Sequence, residues 1–264
     1  MNTVTRIRLT AGIVALCAFA SVTHAKDSDR SERQTIKLGI FSLPPFMMSD
    51  SNGSAGGVAA DFWREHIAPL LDVDIEVSGP YPIPRLEKML QSGEIDVIPY
   101  VTKIPDRAQK FTYPNQAINT ISPCIVVRKD SPITSITAQK DLYGLTIGFI
   151  TNAYIPPFVI HDTITLDLIT TTDFRNMNHQ KLINKRVDAL LDINYISFLY
   201  EMQTRGLLAD IRIIPLNQDH TSIYSIFADS PRGRDLCARY EQALVHIDKG
   251  TFDEITQRYV QKEE

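Results

Sequence analysis

Cysteine is scarce in this sequence: there are three in 264 residues, and one of them, Cys17, lies in an apolar run at the N-terminus. The other two, Cys124 and Cys237, are far apart in the chain, and their spacing leaves open whether they pair or stay as buried thiols. Apolar residues make up 44% of the chain. A core of ordinary size can therefore form with no disulfide or metal to hold it.

A surplus of basic residues is also missing. Removing residues 1–25, which we expect to be cleaved, takes away two arginines and no acid, leaving 25 basic and 31 acidic side chains and a formal charge of −6. Nucleic-acid-binding domains usually carry the opposite charge, so we expect no nucleic-acid partner. After the N-terminal run, no segment stays apolar for the roughly 20 residues that a membrane-spanning helix needs.

Motifs of the common enzyme and metal sites are absent. The chain has no Gly-x-Ser-x-Gly, no Walker loop, no His-Glu-x-x-His and no Cys-x-x-Cys. Its six histidines are scattered, and His66 and His246 fall in helical patterns, where packing or surface roles are more common than metal ligation. We therefore expect no enzyme, no cofactor and no metal.

The N-terminus has the three parts of a secretory signal peptide. Arg6 and Arg8 precede the apolar run LTAGIVALCAFASV, and small residues precede a possible cleavage point after Ala25. The apolar run is too short for a comfortable membrane span, which disfavours an anchor. We expect residues 1–25 to be a cleaved signal, residues 26–34 to be a flexible N-terminus, and the mature protein to be periplasmic.

Apolar strand-like runs alternate with amphipathic helical stretches along the rest of the chain, which predicts α/β structure. The chain contains two such units, and extended stretches at residues 120–128 and 221–228 lie on either side of the second unit. We interpret these stretches as crossings between two α/β lobes, with a hinge at the crossings and a cleft between the lobes. The expected boundaries are 35–122 and 225–264 for lobe 1, and 123–224 for lobe 2.

Ligands of open α/β sheets bind at the carboxyl ends of the strands. Arg107 follows one such strand and offers a planar donor fork that suits a carboxylate, while Asp192 ends another strand and offers an anion. Two simpler roles stay open: Arg107 pairing with Asp106 or Asp96, and Asp192 capping the next helix. The other candidates supply hydroxyl, amide or aromatic groups: Thr102, Thr151, Asn152, Phe46, Tyr81, Tyr100 and Tyr154.

An ordered set of short motifs resembles the periplasmic solute-binding proteins of family 3, the amino-acid type that serves ABC importers. The resemblance covers about residues 35–262, and the motifs, in order, are PPF, GGVAADF, RLEKMLQSGEIDVI, TKIPDR, DLYGLTIGFITNAY, KRVDALLD and KGTFDEITQRY. It implies the two-lobed type II periplasmic-binding-protein fold, closing over a solute.

The resemblance also implies roles for individual residues. Arg107 matches the arginine that grips a ligand carboxylate, with Thr102 beside it. Thr151 matches the N-terminus of a second-lobe helix, where backbone N–H groups favour an anion. Aromatic positions that face the ligand side chain match Phe46 and Tyr81, and Arg85 matches a cleft-facing arginine of stand-alone members.

Two positions depart from the family pattern. The acidic residue that binds the ligand ammonium usually lies five residues after the aspartate of Asp-Ala, but Asp192 lies four after Asp188 and the fifth position is Ile193. Lys103 stands where a neutral residue is usual and biases the cleft toward acidic solutes.

We therefore expect a monomeric periplasmic protein that binds a small polar solute, an amino acid or related carboxylate, and docks on an ABC permease of the inner membrane. Two alternatives use the same fold. One is an enzyme resembling cyclohexadienyl dehydratase, which needs a carboxylic acid of raised pKa inside the cleft. The other is a periplasmic sensory module.

Overall fold

The computed structural model describes Met1 and residues 33–50, 52–151, 153–171, 173–216 and 220–261. The expected signal peptide from residue 2 onward, and most of the expected flexible N-terminus, lie outside these residues. The first strand already begins at Gln34. Within the described ranges, no helix has the length and apolar character needed to cross a membrane.

A first mixed sheet organises lobe 1. Its strands are β1 (Gln34–Gly39), β4 (Val73–Ser78), β5 (Val97–Thr102), β6 (Phe111–Thr112), β7 (Asn119–Ile121) and β13 (Thr221–Ala228). The order is β4-β1-β5-β13-β6, with β7 also on β13. Strands β4, β1 and β5 are parallel, while β13 runs antiparallel to β5. The central β5 is buried along nearly its whole length, as expected of a strand covered on both faces.

Helices cover both faces of this sheet. They are α1 (Val58–Phe62), a π-helical turn (Trp63–Ile67), α2 (Ala68–Leu71), α3 (Ile83–Ser92), α4 (Pro105–Ala108), α7 (Pro231–Leu244) and α8 (Thr251–Val260). Gly93 ends α3 in the left-handed conformation, and the Ser230 hydroxyl caps α7 by accepting from the backbone N–H of Gly233. The Trp63 ring stacks on Tyr240 within the core. A short hairpin, β2 (Met48–Ser49) and β3 (Ala55–Gly56), precedes α1.

A second five-stranded sheet organises lobe 2. Its strands are β8 (Cys124–Arg128), β9 (Thr146–Ile150), β10 (Thr165–Ile169), β11 (Ala189–Asp192) and β12 (Ile211–Pro215), in the order β10-β9-β11-β8-β12. Its α-helices are α5 (Phe174–Ile183) and α6 (Tyr195–Thr204). Two 3-10 turns, Gln139–Leu142 and Pro157–Val159, flank β9. The predicted two-lobed α/β fold is confirmed.

The chain changes sheet twice. It leaves the first sheet after Ile121 and enters the second at Cys124, then returns between Pro215 and Thr221. All of β13 pairs within the first sheet. Residues 221–224, which we expected in lobe 2, therefore lie with lobe 1. Cys124 and Cys237 are both buried, free thiols in different lobes.

One predicted helix is absent from the described residues. After β9 we expected a helix beginning at Thr151, but this part of the chain turns at Thr151 and continues irregularly to Pro157–Val159. Two consecutive prolines, Pro156 and Pro157, do not support a regular helix here, since proline removes a backbone donor and restricts the residue before it. The proposed anion-binding helix N-terminus at Thr151 was therefore wrong.

Candidate functional site

The two lobes meet at the loops that follow the carboxyl ends of their strands. The Ser197 hydroxyl, at the start of α6, donates to the carbonyl of Pro44, in the loop after β1, at 2.5 Å. The Asn194 amide approaches the Tyr100 hydroxyl at 3.5 Å. Ile193 packs against the hydrophobic cores of both lobes. The interlobe face is thus where ligands of open α/β sheets are expected to bind.

Glycine holds the Pro-Pro-Phe loop in place on the lobe 1 side of this face. Gly57 has φ 106°, and a Cβ there would lie 2.7 Å from the Phe46 carbonyl oxygen, so a larger residue would displace the loop. The first N–H groups of α1 then donate to the loop carbonyls, Val58 to Pro45 at 3.1 Å and Ala59 to Phe46 at 3.0 Å. The Pro44 carbonyl is therefore presented to lobe 2 by a fixed backbone.

Arg107 lies in the short helix α4 and is buried at the end of β5. Its Nε donates to Glu87 Oε1 at 3.0 Å, and its Nη1 donates to the Thr102 carbonyl at 2.9 Å. The Tyr113 hydroxyl donates to the same carbonyl, and burial raises the pKa of Tyr113 to about 12. Thr102 thus contacts Arg107 through its backbone carbonyl, which accepts a hydrogen bond from the guanidinium.

The acidic partner of Arg107 differs from those that we considered from the sequence. Asp106 pairs with Lys110, and Asp96 pairs with Arg232. The partner is Glu87, twenty residues before Arg107 on α3. A contact of this separation depends on how α3 packs against α4.

Two further cations on the same lobe rest on aromatic rings. The Lys103 ammonium lies 5.3 Å from the ring centre of Tyr113 and 6.0 Å from that of Tyr224. The Arg85 guanidinium lies 4.4 Å from the ring centre of Tyr81. Cations placed over ring faces in this way are attracted by the rings while their stems cover apolar surface.

Phe46 and Tyr100, predicted as walls of the cleft, are both fully buried. Their rings stack at 4.7 Å, and both stack on Phe252 of α8, at 6.1 and 5.6 Å. Burial raises the pKa of Tyr100. The Tyr100 hydroxyl is the part of this stack that contacts Asn194 of lobe 2. The stack therefore supports the interlobe face from within lobe 1.

Asp192 ends β11 and is bound by a second arginine. Arg175 Nε donates to Asp192 Oδ2 at 2.8 Å, and Nη2 donates to Oδ1 at 3.1 Å; each side chain is 4% exposed. Arg175 Nη1 donates to the Ser197 hydroxyl at 2.9 Å and to Glu201 at 2.8 Å. Burial opposes the charge of Arg175, but the neighbouring Asp192 and Glu201 carboxylates outweigh it and raise its pKa.

The helix cap that we considered for Asp192 belongs to Asn194. The Asn194 side-chain oxygen accepts from the backbone N–H of Ser197 at 3.0 Å at the start of α6. Asp192 instead accepts the backbone N–H of Asn194 at 2.9 Å. The alternative role of Asp192 as the helix cap is therefore wrong, because the capping residue lies two positions later.

The remaining candidates lie on lobe 2. The Thr151 hydroxyl donates to the Ile169 carbonyl and accepts from the Thr170 hydroxyl, each at 3.1 Å. Tyr154 is half-buried in the following loop. Asn152 lies outside the described residues. No contact described above joins Thr151 or Tyr154 to the Arg107 group on lobe 1.

Three residues of the interlobe face were missed from the sequence: Arg175, Ser197 and Asn194. Arg175 follows β10, and the carboxyl end of that strand was not among the strand ends from which we chose candidates. Including every parallel strand would have found it. Asn194 directly precedes the helical pattern and is a preferred capping residue, which was a usable signal.

Two cavities are lined by described residues of lobe 1 alone. One, of about 390 Å³, is lined by residues between Arg33 and Ile75, and the other, of about 210 Å³, by Met48, Asp61 and Tyr259 among others. Among the described residues, no three histidine, cysteine or carboxylate side chains come together to hold a metal ion.

The sequence matches the model of the bacterial extracellular solute-binding proteins, family 3, over residues 36–262. The chain belongs to this family. The motif resemblance is thereby confirmed, and the match covers both lobes of this solute-binding protein. No curated protein sequence matches the chain.

Solved structures share the fold of this solute-binding protein. The periplasmic VFT2 domain of Bordetella pertussis BvgS superposes with a TM-score of 0.70 at 19% identity, covering 85% of this chain and 93% of that one. The probable amino-acid ABC transporter extracellular-binding protein YtmK of Bacillus subtilis gives 0.71 at 17% identity, covering 88% and 100%. The ancestral amino acid-binding protein AncCDT-1, a precursor of cyclohexadienyl dehydratase, gives 0.66 at 19%, covering 86% and 95%. At these identities the likeness shows the fold alone.

Proposed function

We propose that this protein captures a small polar solute, an amino acid or related carboxylate, between its lobes and delivers it to an ABC permease of the inner membrane. The observation that carries the proposal is the meeting of the two lobes at the carboxyl ends of their strands, through Pro44 and Tyr100 on one side and Asn194 and Ser197 on the other. Two crossings of the chain allow the lobes to separate and close around a solute.

The proposed carboxylate-binding group is Arg107. Its bonds to Glu87 and to the Thr102 carbonyl use two of its five N–H groups, so the guanidinium can hold Glu87 and still donate to a solute. Glu87 orients the fork, as a buried cation needs a partner when no solute is bound. Lys103 and Arg85, on the same lobe, add positive potential that favours an anionic group.

The test begins with a thermal-shift screen of amino acids and small organic acids, followed by titration calorimetry with the best binder. Arg107→Ala should weaken binding by about 3–5 kcal/mol, because a charge-assisted donor pair inside a closed cleft is lost. Arg107→Lys should be nearly as weak, since an ammonium cannot form two parallel bonds to one carboxylate. Arg234→Ala, which removes a surface ion pair with Asp229, is the matched control and should bind as the wild type does.

Binding by Arg107→Ala within about threefold of wild type, a difference below about 1 kcal/mol, would place the solute elsewhere. Arg107 would then have a structural role, through Glu87 and the Thr102 carbonyl.

Transport, signalling and catalysis remain distinguishable by experiment. The enzyme alternative needs a carboxylic acid that can donate a proton to the solute, and both oxygens of Asp192 accept from Arg175 instead. Loss of uptake of the identified solute on deletion of the protein supports delivery to a permease, while unchanged uptake favours a sensory module. Membership of an extracellular family supports a periplasmic location. N-terminal sequencing that finds Lys26 as the first residue of the protein in the periplasmic fraction would establish it.

A further inference from the structure

The acidic group that could recognise a solute ammonium, Asp192, is already paired within lobe 2. Both oxygens of Asp192 accept from Arg175, and Oδ1 also accepts from the backbone N–H of Asn194. A carboxylate in this arrangement has its charge neutralised and two of its lone-pair directions taken by one planar partner.

Arg175 makes further contacts besides its pair with Asp192. All three of its nitrogens donate, and its third nitrogen binds Ser197 and Glu201. The guanidinium also lies 5.4 Å from the ring centre of Phe174 and 6.0 Å from that of Phe198. A solute ammonium that took Asp192 would leave this buried cation without its main partner, which costs more than the new contact gains.

This ion pair lies at the interlobe face. Ser197, which accepts from Arg175, donates to the Pro44 carbonyl of lobe 1, and Asn194, which donates its N–H to Asp192, reaches Tyr100 of lobe 1. Asp173, the acidic residue that follows β10 at the same edge, is likewise paired, with Arg205 at 3.0 Å. Among the described residues of lobe 2, Asp192 and Asp173 at this edge are thus each paired with an arginine of the same lobe.

The charges of lobe 1 are arranged differently. Arg107 keeps N–H groups beyond those bound by Glu87 and the Thr102 carbonyl, and the contacts described for Lys103 and Arg85 are with aromatic rings, not with carboxylates. We propose that the solute of this protein is a carboxylate that carries no ammonium group, and that Arg175 sets this preference by occupying Asp192. This inference rests on the proposed solute-binding function and narrows its ligand class.

The test compares probes that differ only in the α-ammonium. The pairs are propionate with L-alanine, succinate with L-aspartate, glutarate with L-glutamate, and 3-phenylpropionate with L-phenylalanine, each titrated into the purified wild-type protein by calorimetry. In every pair that binds, the member without the ammonium should bind at least about tenfold tighter. The reason is that an ammonium brought into the cleft would lose its hydration and gain no free carboxylate.

The outcomes separate this inference from the function on which it rests. An amino acid that binds as tightly as its deaminated partner, or more tightly, overturns the inference and leaves solute binding intact. Absence of binding by all eight probes at millimolar concentration overturns the proposed function for this solute class, and the inference with it.

Discussion

Arg107 and Asp192 each hold a partner from their own lobe, and the two pairs differ in exposure. Glu87 beside Arg107 is 23% exposed and makes one contact, whereas Arg175 and Asp192 are 4% exposed and form a two-point pair. Surface pairs contribute little to stability, but removing one member of a buried pair leaves an uncompensated charge. The Arg175–Asp192 pair is therefore a structural element of lobe 2.

Asp192→Asn should lower the free energy of unfolding by up to about 3–5 kcal/mol, because buried Arg175 would lose its two-point carboxylate partner and keep only Glu201 as a charged one. The matched control is Asp167→Asn, which weakens a more exposed pair with Lys181 and should cost about 0–1 kcal/mol. Urea denaturation of the three proteins measures both changes. Wild-type stability of Asp192→Asn, with selective loss of amino-acid binding, would restore the ammonium-binding role that we considered from the sequence.

Helix α5 buries a histidine in lobe 2. His179 is 2% exposed, and burial lowers its pKa, an effect that the nearby Asp210 and the Leu207 backbone only partly offset. The folded protein therefore holds His179 neutral below the pH at which an exposed histidine takes a proton. Since the unfolded chain binds that proton at about pH 6.5, the unfolded state is favoured as the pH falls.

The contribution of His179 to the free energy of unfolding should therefore be constant above about pH 6.5. Below that pH it should decrease by up to about 1.4 kcal/mol per pH unit. His179→Gln, which cannot titrate, should show a smaller loss between pH 7 and pH 5 than the wild type. His246→Gln, at an exposed position, is the control and should keep the wild-type slope. Equal slopes in all three proteins, measured by urea denaturation, would show that His179 titrates normally.

The two lobes are joined by two crossings and by polar contacts at the interlobe face. One crossing is braced by the backbone N–H of Tyr195, which donates to the Ser122 carbonyl at 2.9 Å, and by that of Leu216, which donates to the Pro123 carbonyl at 2.9 Å. Short crossings of this kind can absorb a rotation of one lobe against the other.

Solute binding should bring the lobes closer and leave each lobe unchanged. Val245 of lobe 1 and Ile160 of lobe 2 are exposed, and the native thiols Cys124 and Cys237 are buried, so cysteines introduced at 245 and 160 can be spin-labelled selectively. The distance between these labels should shorten with the tightest-binding probe. Labels at 245 and 70, both on lobe 1, should keep their distance. A label pair across the lobes that never responds to a bound probe would exclude closure.

Local pattern was enough to predict most of the fold. The alternation of apolar strands and helical stretches predicted β1, β4, β5 and the strands and helices of lobe 2, because burial of one face or both faces leaves a periodic trace in the sequence itself. The segment after Thr151 was the exception. There, β9 is followed by an irregular loop with two prolines, whereas the alternation of strands and helices predicted a helix.

The sequence by itself determined the two-lobed α/β fold, the family, and the position of Arg107 at the end of a buried strand, since these depend on composition, periodicity and short motifs. Only the tertiary structure decided which charges meet. Glu87 reaches Arg107, and Arg175 reaches Asp192, across separations of 20 and 17 residues. Those contacts depend on how helices α3 and α5 pack on their sheets. The energy of an ion pair depends on distance and burial, and the spacing of residues along the chain predicts neither.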